Sequence, residues 1–191
     1  CVSQAILHLL NEMPTLHLNI EEKVMTPLLQ DLLAGSVDVV VGRIGGRALQ
    51  LPLNYKVLYT EPVCFVARAE HPLAKYATLS WNDLANWRWI VWPTGTPIRI
   101  SIDNALVDHG VMLPENTIES ASMNVSTNLL QSSDMISILS LRLAQRYASQ
   151  GQLVILNLPK IEQKGSVGVF WRNNETPSYA LSQFLHFLQQ N

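Results

Sequence analysis

Apolar positions along the chain switch repeatedly between two periods. Ala5, Ile6, Leu9 and Leu10 form a helical stripe that stops at Pro14. Leu16-His17-Leu18-Asn19-Ile20-Glu21 then alternates with period two and predicts a half-buried strand. Met25 to Ala34 returns to the helical period, with Leu28, Leu29, Leu32 and Leu33 on one face and Gly35 as terminator. Val37 to Gly42 is a short apolar run suited to a parallel sheet. After a loop at Gly45-Gly46-Arg47 come strands near Tyr55–Tyr59 and over Val63–Arg68.

The second half continues the alternation. Ser80 caps a short helix, Trp81 to Ala85, and Arg88–Trp92 is a buried strand. A helix over Ile98–His109 closes at Gly110, and Thr117–Ser120 is strand-like. Val125–Gln131 is helical, Met135–Leu139 a strand, and Leu141–Ser149 a helix stopped at Gly151. Strands at Gln152–Leu158 and Ser166–Trp171 precede a last helix that starts near Pro177 and carries Leu181, Phe184, Leu185 and Leu188 on one face. Strands separated by crossover helices predict an α/β fold with mostly parallel sheets. Ligands of such sheets sit beyond the carboxyl ends of strands, where Arg43, Thr94–Thr96 and Ser120–Ser122 fall.

The stretch Trp92-Pro93-Thr94-Gly95-Thr96-Pro97-Ile98-Arg99 carries the most chemistry. Pro93 and Gly95 break the strand, Thr96 suits an N-cap, and Pro97 suits the first helical position. The N–H groups of Ile98 and Arg99 then lack helical partners and are available to a carboxylate, phosphate or hydroxyl. Two readings stand side by side: Thr96 caps its own helix, or the loop holds a ligand.

Composition narrows the function classes. The 191 residues are 48% hydrophobic and 15% charged with a net charge of −2, and the 13 Lys and Arg are scattered, so no nucleic-acid-binding face is marked. The apolar runs are too short for a transmembrane helix, and the start at Cys1 has no signal-peptide pattern. Cys1 and Cys64 form neither a disulfide framework nor a metal site, and Cys64 reads as a buried thiol compatible with a cytoplasmic location. His8, His17, His71, His109 and His186 show no metal-ligand spacing. No nucleophile elbow, P-loop or dinucleotide fingerprint is present, so neither a cofactor nor an enzyme is expected. Trp87, Trp89 and Trp92 read as core packing first and as ring-stacking surfaces second, and Ser133, Asp134 and Met135 as a structural turn.

Several segments, in this order, resemble the effector-binding domain of LysR-type transcriptional regulators. They are Leu32 to Arg43, Leu58 to Arg68 followed by Glu70-His71-Pro72-Leu73-Ala74, Ser80 to Leu84, Pro93 to Pro97, Glu119 to Ser122 and Ser132 to Met135. The resemblance spans nearly the whole chain and looks closest to the subgroup of galactose-binding-protein and protocatechuate operon regulators. It implies a two-lobed, type 2 periplasmic-binding-protein-like fold, with residues 1–61 plus 171–191 as lobe I and 62–170 as lobe II. It further implies a small anionic or polar effector in the interlobe cleft, with Thr94, Gly95, Thr96, Ser120, Ser122, Gly42 and Arg43 as contacts. DNA binding would reside in an N-terminal winged helix-turn-helix that this chain does not contain. The full-length protein is expected to be a cytoplasmic dimer or tetramer with no membrane contact. Ile6, Leu9, Leu10, Leu18 and Ile20 are the candidate dimer surface. The family has a strand before its first helix, whereas this chain opens inside the expected helix, so lobe I is expected to lack that strand. An exported solute-binding protein is the alternative on the same fold, and an enzyme on that fold a third reading; the gene sequence upstream of Cys1 discriminates the first two.

Overall fold

The computed structural model describes residues 2–158, 165–173 and 176–189. In chain order, α1 (Val2–Glu12) and α2 (Met25–Ala34) precede β1 (Val40–Arg43), β2 (Leu53–Glu61) and β3 (Val63–Arg68). Then come α3 (Trp81–Leu84), β4 (Trp89–Val91), α4 (Pro97–Asp108), β5 (Ile118–Glu119), α5 (Met123–Gln131), β6 (Ile136–Ser140) and α6 (Leu141–Ser149). β7 (Leu153–Ile155), β8 (Gly165–Arg172) and α7 (Tyr179–Gln189) complete the order.

The chain divides into two compact units, Cys1–Thr60 with Ser166–Asn191, and Glu61–Gly165. The first change of unit falls between Thr60 and Glu61 and the second between Gly165 and Ser166; β8 pairs with β1 and so belongs to the first unit. Phe170, fully buried with Leu29, Leu32 and Val40, is part of that unit's core.

In the first unit the strand order is β1-β8-β2, and β1 runs antiparallel to β8, with Val40 opposite Phe170 and Arg43 opposite Val167. The apolar run at Val37–Gly42 therefore does not enter a parallel pairing there. A separate layer packs α1 on α7 through Ala5, Leu9, Phe184, Phe187 and Leu188. Leu9 is 3% exposed in this layer, so it is core of its own chain and not free for a partner, while Ile6 is half-buried against the same cluster.

The alternating segment Leu16–Glu21 is not a strand: residues 13–24 carry no helix or strand. A strand exists only through ladder bonds to a neighbour, and among the described residues no strand lies against this one. Leu16 packs on the α1–α7 layer, whereas Leu18 and Ile20 are 36% and 72% exposed.

The second unit holds a five-stranded sheet in the order β5-β4-β6-β3-β7. β4 is parallel to both β5 and β6, while β3 is antiparallel to β6 and β7. The sheet is thus mixed, where mostly parallel pairing was expected. The reason is connection length: α4 and α5 supply the crossovers that parallel neighbours need. Its core is aromatic, with Phe65 edge-on to Trp81 and Trp89 at centroid distances of 5.4 and 5.1 Å. Trp87 packs on the ring of His71, so Trp87 and Trp89 serve packing.

His71 is fully buried, and its ring accepts the Leu73 N–H through Nδ1 while Nε2 faces the Asp134 carbonyl at 3.2 Å. That pattern fits a neutral ring protonated at Nε2, and burial holds its pKa below the usual histidine value. Asp134 also binds Arg68 Nε at 2.7 Å, which makes the Ser133–Met135 turn a structural junction. Burial pushes the Cys64 thiol up to about 12, consistent with an inert packing residue.

Candidate functional site

Parallel pairing of β4 and β5 brings two of the predicted segments to one edge of the second unit. Val91 is in register with Glu119, and the Ser120 N–H continues the ladder to the Val91 carbonyl at 3.0 Å. The loops that leave these strands, Trp92–Thr96 and Ser120–Ser122, therefore start side by side at the carboxyl ends. Each feeds a helix, so the amino ends of α4 and α5 open at the same edge.

The Pro93–Thr96 turn is closed by the Thr96 N–H bonding to the Pro93 carbonyl at 3.1 Å. Gly95 has φ +82, a left-handed conformation that favours glycine, and a Cβ there would meet nothing within 4 Å. The space above the turn is open. Thr96 occupies the N-cap position with Pro97 at the start of α4, as the sequence predicts, but its side chain makes no cap bond. Its hydroxyl instead donates to the Pro93 carbonyl at 2.7 Å. The first-turn N–H groups of Ile98 and Arg99 are left without a side-chain cap.

At the neighbouring loop the helix is capped by a side chain. Ser122 is the N-cap of α5 and accepts the Val125 N–H at 3.3 Å. Ser120 accepts the Ser122 N–H at 3.1 Å, which tightens the turn and leaves its hydroxyl half-exposed beside β5. Trp92 lies under the edge with its indole N–H donating to Ile138 O at 3.0 Å.

Three charged side chains that sequence reasoning did not name as contacts, those of Arg99, Asp103 and Glu119, belong to this edge. Arg99 is 14% exposed; its Nε reaches Asp103 at 2.8 Å and its Nη1 reaches Glu119 at 3.4 Å. Nη1 also faces the Trp92 carbonyl at 3.3 Å. Glu119 in turn accepts the Thr94 hydroxyl at 3.1 Å. The spacing of Arg99 and Asp103, one helical turn apart, is legible in sequence. The link to Glu119 is not, because it depends on which strand pairs with β4.

Gly42 and Arg43 lie in the first unit, at the end of β1, and both are half-buried. A Cβ at Gly42 would stand 2.7 Å from Met25 Sδ, so this glycine lets α2 pack on β1. Among the described residues no group of three or more His, Cys, Asp or Glu is placed to hold a metal ion. Among them, too, no helix is long and apolar enough to cross a membrane.

Two α/β units, the second inserted within the sequence of the first, define a type 2 periplasmic-binding-protein-like fold. Solved structures agree. The regulatory domain of CcmR from Synechocystis PCC6803, solved in complex with 2-PG, superposes with a TM-score of 0.84 at 18% identity, covering 99% of this chain and 89% of that one. The effector-binding domain of QuiR in complex with shikimate gives 0.82 at 15% identity, covering 99% and 88%. The chain belongs to the LysR substrate binding domain family, whose model matches residues 1–191. It is 27% identical over 171 residues to the HTH-type transcriptional regulator GbpR of Azospirillum brasilense, covering 89% of this chain and 50% of that protein. It is 28% identical over 163 residues to PcaQ of Agrobacterium fabrum (strain C58 / ATCC 33970), covering 85% and 52%. The chain spans about half the length of the curated relatives it matches.

Proposed function

We propose that this chain is the effector-sensing part of a bacterial transcriptional regulator, and that a small molecule docks at the β4–β5 edge. The observation that carries the reading is the behaviour of Thr96. A threonine at an N-cap position ordinarily accepts from the helix; here it turns back to Pro93, and the amino end of α4 stays open beneath a glycine turn. Thr94, Gly95, Thr96 and Ser120 are the proposed contacts, with the Ile98 and Arg99 N–H groups as further donors. Ser122 is assigned to capping and Gly42 to packing. Arg43 stays a candidate contact of the first unit. Binding acts by favouring one arrangement of the assembled regulator over another. DNA contact lies in a part of the protein outside this chain, and the setting is the cytoplasm, with no chemical conversion of the effector. The regulators among its relatives support this over a transport role.

The test is calorimetry on wild type and Thr96→Val, using the strongest hit from a thermal-shift screen of sugars, hydroxy acids and aromatic carboxylates. Loss of one hydroxyl contact is expected to weaken binding about 3- to 10-fold, with an unchanged circular dichroism spectrum. Equal affinity in the two proteins removes Thr96 from the site.

A second copy is the proposed partner of the face formed by α1 and the segment after it. Leu18 and Ile20 are exposed in that segment, and Ile6 and Leu10 of α1 are half-buried. Ile20→Glu is expected to weaken self-association by about tenfold or more, read by sedimentation velocity. An unchanged mass distribution across concentration would count against this face.

A further inference from the structure

The charge arrangement at the β4–β5 edge points to a neutral, polyhydroxylated effector, a sugar or polyol, with Glu119 as the residue that selects it; we infer this on the reading of that edge as the effector site. The guanidinium of Arg99 would be the obvious receiver of a carboxylate. Two of its three nitrogens are already engaged: Nε with Asp103 at 2.8 Å, and Nη1 with Glu119 at 3.4 Å and the Trp92 carbonyl at 3.3 Å. Within this network one cation faces two carboxylates, so the wall carries excess negative charge. Arg99 is only 14% exposed, whereas Glu119 and Asp103 are 50% and 45% exposed. An incoming ligand therefore meets carboxylate oxygen before it meets guanidinium.

Glu119 stands directly beside the turn, since its Oε2 accepts the Thr94 hydroxyl at 3.1 Å. An ionised carboxylate is an acceptor only, and its two oxygens match two adjacent O–H donors. A vicinal diol supplies such a pair. The same hydroxyl oxygens keep lone pairs for the uncapped N–H groups of Ile98 and Arg99. A carboxylate ligand has no proton to offer Glu119 and adds like charge at short range. The edge thus combines an acceptor and several donors, the complement of a hydroxyl group, which is both.

The experiment uses matched probes: D-glucose, D-galactose and D-mannose, myo-inositol, and the three corresponding uronates. Each is titrated by calorimetry into wild type, Glu119→Gln, Glu119→Asp and Thr96→Val. At least one neutral probe is expected to bind, with its uronate about tenfold or more weaker. Glu119→Gln is expected to weaken the neutral probe and to bring the pair within about threefold, because the charge is gone. Glu119→Asp keeps the charge and is expected to keep the discrimination. A wild-type protein that binds a uronate as tightly as its sugar, or that binds no neutral probe at 10 mM (on the order of the weakest affinities worth assigning), overturns the inference, as does a gap that Glu119→Gln leaves intact. If a uronate binds and Thr96→Val weakens it, the edge is still the effector site and only the selectivity falls. If Thr96→Val changes no bound probe, the site reading itself falls.

Discussion

Replacing Trp89 by alanine is expected to cost the second unit about 3–5 kcal/mol. The side chain is completely buried in β4, edge-on to Phe65, and its indole N–H donates to the Leu84 carbonyl at 3.0 Å. Alanine leaves a large void among close-packed neighbours and removes one of the two donors to the Leu84 carbonyl, which keeps the Trp87 N–H at 3.2 Å. The midpoint of thermal unfolding should fall on the order of 10 °C. Trp89→Phe keeps the ring but not the N–H and is expected to lose about 1–2 kcal/mol. The residue matters for function through position: β4 carries the Pro93–Thr96 turn, so disorder here displaces the proposed contacts together. A denaturant titration in which the alanine variant loses under about 1 kcal/mol would show that the core around Phe65 refills the space.

Gly168→Ala should be the most costly single-methyl change in the first unit, about 1–3 kcal/mol. A Cβ on Gly168 would lie 2.8 Å from Ile44 Cδ1 and 2.9 Å from the Lys56 carbonyl oxygen. The isoleucine can turn away, but the carbonyl belongs to β2, the strand next to β8 in the sheet. The added methyl therefore presses on backbone and pushes a neighbouring strand aside. Gly42, paired directly with Gly168 across β1 and β8, is the internal control. Its own clash is with the flexible end of Met25, so Gly42→Ala should cost distinctly less. Chemical denaturation of the two variants checks the order, and equal losses would contradict it.

The difference between these two glycines was not legible in the chain, since neither Met25 nor Lys56 is a near neighbour in sequence. Elements set by local pattern read well. Val63–Arg68 is a strand over the residues its apolar run marks, and Leu141–Ser149 a helix over those its amphipathic stripe marks. Leu16–Glu21 shows the limit, because alternation states what a strand would look like but cannot supply the neighbour that makes one. The candidate site divides the same way. Proline, glycine and a strand-to-helix switch place Thr94–Thr96, and Pro97 starts α4 as predicted. Glu119 joins them only through the register of β4 with β5, a long-range choice made by the sheet. The direction of the Thr96 hydroxyl was equally beyond reach: both of its candidate partners lie within three residues, and only the turn decides between them.

The nesting of one unit inside the other has a bearing on the order of events during synthesis. Residues 61–165 are contiguous, so the second unit is complete before residues 166–191 have been made. The first unit is not: β8, the middle strand of its sheet, and α7, the helix that packs on Leu9 of α1, are translated after the second unit. Its early helices must wait, with apolar faces uncovered, while the insert folds between them and their partners. A nascent chain stalled short of residue 166 would hold a finished second unit and an unfinished first one, and truncation at that point should be damaging although it leaves every residue of the proposed effector edge in the chain.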